Sequence, residues 1–108
     1  MDGIKTIEIG PTTYKVEHTK EAITEERIGQ NDANVQATIT YSKSKIVVSP
    51  DLEESQKRLA LWHEITHGIL CDLGLTMINN EDVVTPLASK TLEVLRRNPE
   101  LVAYLVGE

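Results

Sequence analysis

The chain has 108 residues, which is enough for a single domain over residues 1–108 with one modest core, but not for two domains. Its formal net charge of −6 argues against nucleic acid and against an anionic membrane surface as partners, because both require a basic face. Hydrophobic residues make up 40% of the chain, yet no stretch approaches the roughly 20 apolar residues that a membrane span requires.

The cysteine content and the N-terminal residues indicate the compartment. The single cysteine, Cys71, cannot form an internal disulfide, which fits a reducing environment. The first residues contain no apolar segment of the kind that signal peptides carry. We therefore expect a cytoplasmic protein, whose oligomeric state the sequence leaves unknown.

The first half of the chain has the patterns of short strands. Four segments alternate polar and apolar side chains or are rich in β-branched residues: 4–9, 13–17, 35–41 and 45–49. The first two lie around a turn at Gly10-Pro11, and the last two form the clearest hairpin. Residues 20–28 are charged and compatible with a helix, and residues 29–32 have the composition of a turn.

The second half has the patterns of helices. Residues 52–73 contain no proline, Ser49 or Asp51 can cap a helix that follows them, and Gly74 can end it. Strands followed by helices predict an α+β fold, with a small antiparallel sheet in the N-terminal half and a helical half whose first helix packs behind the sheet.

The start of the next helix is open. It can run from about Glu81 to Arg97 with a kink at Pro86, or it can begin later, with Thr85 as its cap and Pro86 at its first position. Pro99 suits the first position of a last helix that ends near residue 106.

Residues 63–67 have the pattern H-E-x-x-H. Two histidines at i and i+4 lie on the same helical face, about one turn apart, so His63 and His67 can both reach one Zn²⁺ ion. Glu64 can then take a proton from the attacking water and pass it to the leaving amine. Gly68, as a small residue, would let another segment approach the metal closely. Apolar residues at helical spacing place both histidines on the side expected to be buried: Leu59, Ala60, Ile69, Leu70 and Leu73. The alternative is a pair of surface histidines on an amphipathic helix.

Catalytic zinc usually has three protein ligands and one open position, so a third ligand must come from outside this motif. Cys71 would lie about 12 Å from His63 along the same helix, at 1.5 Å per residue, and is better explained as a small buried hydrophobe. His18, at the end of a strand, is expected to be an ordinary surface histidine.

The carboxylates downstream are better candidates for the third ligand. Glu81 shares its helical phase with Val84 and Ala88, which predicts that it faces the motif helix. Asp82 shares its phase with charged residues and remains the alternative. Glu93 is expected to be a solvated charge.

If the site hydrolyses peptides, the oxyanion that forms on the substrate needs a hydrogen-bond donor. The substrate also needs a surface that holds it in an extended conformation. Tyr41 and Tyr14 could supply the donor, although a packing role is favoured for each. An edge strand of the hairpin could bind the substrate by β-augmentation.

A β-hairpin, a capped helix with the sequence LWHEITHGIL and an acidic residue that opens the next helix together resemble the compact ImmA/IrrE-type zincins, whose smallest members are often encoded by phages and mobile elements. The resemblance covers about residues 35–106 and depends mainly on the motif helix. It implies a zinc metallopeptidase that acts on a peptide or protein substrate, with zinc at His63 and His67, a catalytic Glu64, and a carboxylate third ligand, which falls on Glu81. The chain departs from the larger members because its acidic residue carries no E-x-E-A-N signature.

A second reading keeps this fold without catalysis. The protein would then be a regulatory or phage-associated interaction module that binds zinc. A fourth protein ligand, such as His18 or Asp72, would indicate a structural zinc site of this kind, whereas an open coordination position favours an enzyme.

Overall fold

The computed structural model describes residues 1–107. The strands are β1 Thr6–Ile9, β2 Thr12–Glu17, β3 Ala37–Thr40 and β4 Lys45–Val48. The helices are α1 Lys20–Gly29, α2 Glu54–Asp72, α3 Glu81–Arg97 and α4 Pro99–Val106. The predicted α+β fold is confirmed, and each predicted strand and helix is present to within a few residues. No helix in residues 1–107 combines the length and the apolar character needed to cross a membrane.

The four strands form one sheet in the order β1-β2-β4-β3. Both hairpins are antiparallel, as expected, but β2 and β4 pair in parallel, so the sheet is mixed and not wholly antiparallel. The alternation within each strand does not fix the direction of one hairpin relative to the other. That direction depends on the connection between the hairpins, residues 18–36, which contains α1. The strand order makes β1 and β3 the edge strands.

Strand β4 is buried on both faces of the sheet. Its residues Ile46, Val47 and Val48 are all fully buried. Ile46 and Val48 belong to the cluster that packs beneath α2, whereas Val47 packs against Ala22 and Ile23 of α1. The two helices therefore cover opposite faces, and the sheet lies between them.

Helix α2 approaches the sheet closely at Gly68. A Cβ atom at this position would lie 2.7 Å from Cδ1 of Ile9 and 3.2 Å from Cδ1 of Ile39. The absence of a side chain at Gly68 therefore admits side chains of β1 and β3 close to the helix. This contact brings the motif helix against the edge strand β3.

The face of α2 that is buried differs from the predicted stripe. Leu59 and Ile69 are each 37% exposed and Leu73 is more so, whereas Leu61 and Leu70 are buried. The reason is that α2 contacts the sheet on one side and α3 on another. Its buried residues therefore face these two neighbours, and residues of the predicted stripe that face neither are exposed. Trp62 belongs to the α3 side, where its Nε1 donates to Oγ1 of Thr91 at 2.8 Å.

The N-terminal end of α2 differs from the prediction, and its C-terminal end agrees with it. The residue at its N-cap position is Glu53, which makes no side-chain capping bond, so neither Ser49 nor Asp51 caps the helix. Instead, Oγ of Ser49 accepts from the amide of Asp51 at 3.3 Å, in the turn before the helix. Gly74 follows the helix with φ of 74°, as the predicted stop requires.

Helix α3 begins at Glu81 and runs through Pro86, so the later start at Thr85 is wrong. Asn80 fixes this start, because its side chain accepts a hydrogen bond from the amide of Val83 at 3.2 Å. That bond anchors the first turn of the helix five residues before the proline, and Pro86 removes only one later donor. Pro99 opens α4, as predicted.

Candidate metal site

The two histidines of the motif lie side by side on α2. Their ring centroids are 5.0 Å apart, and both side chains are mostly buried. One helical turn separates them, so their Nε2 atoms point toward the same region at the side of the helix. The predicted juxtaposition of His63 and His67 is therefore present.

Glu81, the first residue of α3, reaches both histidines. Its Oε1 lies 2.5 Å from Nε2 of His67, and its Oε2 lies 3.1 Å from Nε2 of His63. One ligand atom from each of these three residues lies within 4.8 Å of the others. Two ligand atoms at 2.0–2.2 Å from a tetrahedral zinc ion are about 3.3 Å apart. Two imidazole nitrogens and one carboxylate oxygen at these separations fit one zinc ion, with small adjustments of the Glu81 side chain.

The structure brings Glu81, and not Asp82, to the histidines. Glu81 reaches α2, as its helical phase predicts, but it is not buried with the residues that share that phase. Its side chain is 69% exposed, whereas Val84 and Ala88 are fully buried. Glu81 lies at the start of the helix, at the rim of the contact with α2. Its long side chain then extends back over His63 and His67.

Asn79 holds His67 in place, and the sequence analysis did not find it. Its Oδ1 lies 2.6 Å from Nδ1 of His67, and its Nδ2 donates to the backbone carbonyl oxygen of His67 at 3.2 Å. An amide oxygen can only accept, so Nδ1 of His67 carries the proton and its Nε2 presents a lone pair to the site. An asparagine just before a helix is also the usual signature of a cap, a role that Asn80 fills, and so no pattern in the sequence separates the two.

Glu64 is buried beside the three candidate ligands but is not one of them. Burial raises the pKa of Glu64 from 4.5 to about 7. The charge of His67 lowers this pKa and that of Glu81 raises it further. A carboxyl group with a pKa near neutrality can both accept and release a proton under ordinary conditions, as a general base and acid must.

Two cavities meet at Glu64. The first, of about 350 Å³, is lined by Glu64, His67 and Glu81 together with Tyr41 and Asn79. The second, of about 410 Å³, lies on the His63 side and is lined by residues of α2 and of the segment that leads into β3. Ala37 and Glu64 line both cavities, so the edge strand β3 runs past the candidate base.

The two tyrosines considered as donors differ in position. Tyr14 is buried in the core cluster, which confirms its packing role. Tyr41 lines the first cavity. Its hydroxyl oxygen accepts from Nδ2 of Asn79 at 3.0 Å, and the hydroxyl donates to the carbonyl oxygen of His67 at 3.4 Å. Burial raises the pKa of Tyr41, so the phenol keeps its proton near neutral pH. Tyr41 can act as a donor to a substrate only when its long bond to His67 opens.

The remaining candidates lie away from the site. His18 pairs with Asp2, with 3.0 Å between Nε2 and Oδ1. The carboxylate of Asp72 lies against the turn at Gly10, and Cys71 is partly buried on α2. In the part of the chain that the structure describes, none of these three groups joins His63, His67 and Glu81. Within residues 1–107 the group therefore offers three possible ligands, which is the number of protein ligands that a catalytic zinc site uses.

No protein-family model, no curated protein and no solved structure matches this chain. The basis for a function is therefore the site itself: its donor atoms, its buried acid and the cavities around it.

Proposed function

We propose that the protein is a zinc-dependent metallopeptidase. His63, His67 and Glu81 hold Zn²⁺, and Glu64 acts as general base and then as general acid. The observation that carries this proposal is the position of Glu81, whose carboxylate reaches Nε2 of both motif histidines from a different helix. A chance pair of surface histidines would not require a converging carboxylate, nor a buried glutamate beside it.

Each side chain has a role that its surroundings support. Zinc, when bound, polarises the scissile carbonyl and lowers the pKa of its water to ≈ 7. Glu64 accepts a proton from the attacking water and delivers it to the leaving amine, and its pKa of about 7 suits both steps. Asn79 holds His67 in the tautomer that ligation needs. The Tyr41 hydroxyl, which lines the same cavity, donates to the oxyanion once its long bond to the carbonyl oxygen of His67 opens.

The substrate that fits the site is an extended peptide. Within residues 1–107, strand β3 is an edge strand that pairs with β4 on one side, so the backbone groups on its other side are free to pair with a peptide. Both cavities open along this strand, on the two sides of Glu64. A peptide that pairs with β3 would pass the catalytic groups and place its side chains in the cavities.

The alternative function is a zinc-binding interaction module without catalysis. A structural zinc site needs a fourth protein ligand, and within residues 1–107 only three residues group together. The open position beside a polar cavity therefore favours the enzyme. The likeness to ImmA/IrrE-type zincins belongs to the same proposal, since the hairpin, the motif helix and the acidic residue that opens the next helix occur here in that order.

The proposal is tested by changing Glu64 to Gln in zinc-loaded protein and profiling cleavage of a peptide library by mass spectrometry. Because Glu64 is not a ligand, Glu64→Gln should keep one zinc per chain and should lose cleavage by at least about 100-fold. Glu93→Gln, on the exposed side of α3, is the matched control and should keep both. If the zinc-loaded wild-type protein cleaves no peptide, or if Glu64→Gln cleaves at the wild-type rate, the proposal is wrong.

A further inference from the structure

The cavity on the His63 side has an apolar lining that the proposed catalytic groups do not require. Four of its lining residues are aliphatic: Ala37, Leu52, Leu59 and Ala60. Three more are neutral polar residues: Asn34, Gln36 and Gln56. Among residues 1–107, the ionisable groups that line it are His63 and Glu64, both of which belong to the candidate site. The rest of the lining is uncharged.

The aliphatic residues that line this cavity differ in burial: those at its base pack against the core, and Leu59 at its side is more exposed. Ala37, Leu52 and Ala60 are partly buried and pack against the core cluster beneath α2, so the floor is continuous with the core. Leu59 is 37% exposed and forms a wall. Water therefore covers aliphatic surface directly beside the candidate base, and covering that surface with another apolar group is favourable.

The cavity on the other side of Glu64 has a different chemistry. Its lining includes the carboxylate of Glu81, the hydroxyl of Tyr41 and the amide of Asn79. Gln30 and Thr38 add a further polar pair, joined by a hydrogen bond of 3.3 Å. Two side chains that flank the same scissile bond would thus meet unlike surroundings.

We infer that the cavity formed by Leu52, Leu59, Ala60 and Ala37 is a subsite for one uncharged apolar side chain next to the scissile bond. This inference rests on the proposed function and names its substrate class, which is peptides with a leucine, methionine or phenylalanine at that position. The volume of about 410 Å³ is ample, since a cavity of about 150 Å³ already accepts a benzene ring. A charged side chain is disfavoured, because it would lose water against an aliphatic lining whose one carboxyl group, that of Glu64, is the proposed catalytic base.

Binding of hydroxamates to the zinc-loaded protein tests the subsite without any need for turnover. The probes, measured by calorimetry, are acetohydroxamate, hydroxamates with an added isobutyl group, and hydroxamates with an added aminobutyl group. Each group is placed on the carbonyl side in one probe and on the nitrogen in another, so that both directions from the metal are covered. The isobutyl group should tighten binding by about tenfold or more in one direction, as expected for burial of a leucine side chain, and the aminobutyl group should not.

Variants at Leu59 and Ile69, both on α2, test whether the gain in affinity from the isobutyl group arises in this cavity. Leu59→Glu should abolish the gain from isobutyl and create one for aminobutyl, and the milder Leu59→Ala should reduce the isobutyl gain. Ile69→Glu is the matched control, because Ile69 is also 37% exposed on α2 but lines neither cavity at Glu64, and it should leave the gain unchanged.

The outcomes separate the two proposals. An isobutyl gain that survives both Leu59 variants, or an equal gain from aminobutyl in the wild-type protein, overturns the subsite and leaves the metal site standing. Failure of acetohydroxamate itself to bind zinc-loaded protein overturns the metal site, and the subsite with it.

Discussion

The side chain of Asn79 makes three hydrogen bonds with two residues, and both residues belong to the candidate site. Its oxygen accepts from His67, and its nitrogen donates both to the carbonyl of His67 and to the hydroxyl of Tyr41. One amide thus fixes the orientation of a candidate metal ligand and of the neighbouring tyrosine hydroxyl. Groups that orient metal ligands in this way are worth 10–100-fold in metal affinity or activity.

We expect Asn79→Ala to weaken zinc binding by about 10–100-fold, because His67 would lose the acceptor that fixes its tautomer. Zinc affinity is measured by competition with a chelator, and nitrogen chemical shifts of His67 report the tautomer in the same samples. Asn98→Ala is the control, since it removes a side-chain hydrogen bond at the other end of α3, to the carbonyl oxygen of Val94, and no contact to His67. Equal zinc affinity in the wild type and Asn79→Ala would show that Asn79 does not position the ligand.

Glu64 makes the metal-free protein sensitive to pH. Its pKa is about 7 in the folded chain, against 4.5 for an unperturbed carboxyl, so the folded state holds a proton that the unfolded state has lost between these two values. The contribution of the protonated Glu64 to the free energy of unfolding is therefore complete below pH 4.5, and it declines as the pH rises to about 7. The total is roughly 3 kcal/mol, from 1.36 kcal/mol per unit of pKa.

Urea unfolding with chelator present, at intervals from pH 4.5 to 7.5, measures this contribution. Compared with Glu64→Gln, the wild-type protein should lose about 3 kcal/mol of unfolding free energy over this range. Parallel curves for the two proteins would mean that Glu64 is not buried in the neutral form.

At the scale of elements, the contact between α2 and the sheet depends on Gly68. A methyl group there would meet Cδ1 of Ile9, which is itself buried and cannot easily move aside. Overpacking of this kind costs about 1–3 kcal/mol, and alanine recovers up to about 1 kcal/mol through its better helix propensity.

We therefore expect Gly68→Ala to lower the free energy of unfolding by about 1 kcal/mol, measured in urea. The same change should be tolerated in an Ile9→Val background, because valine lacks the Cδ1 atom that clashes. Gly29→Ala provides the control, since nothing lies within 4 Å of its added Cβ and it should not destabilise the protein. A stabilising Gly68→Ala would show that the helix can move off the sheet at little cost.

Local patterns predicted the elements well, and contacts between distant segments account for what they missed. Alternation located the strands, and the i, i+4 spacing placed His63 and His67 together. The parallel pairing of β2 with β4 depends on the path of α1, which no alternation records. Likewise, the exposure of Leu59 follows from where the sheet and α3 contact α2. Asn79 escaped notice because its partner is twelve residues away, in the preceding helix.

At the scale of the whole molecule, the site is assembled from three distant parts of the chain. Strand β3 supplies the edge, α2 supplies the motif, and the start of α3 supplies Glu81. These parts meet only when the second hairpin and α3 are both packed against α2. Zinc that binds the assembled site, and not the unfolded chain, must then stabilise the fold as a whole.

The most direct test of this assembly is the zinc affinity of Glu81→Ala compared with Asp82→Ala, measured by competition with a chelator. Glu81 reaches His63 and His67 from the start of α3, whereas its neighbour Asp82 is outside the group. We expect Glu81→Ala to lose more than about 100-fold in affinity, which exceeds the effect of a residue that only orients a ligand, and Asp82→Ala to change little. Equal affinities in the two variants, or a larger loss in Asp82→Ala, would contradict the zinc site described above.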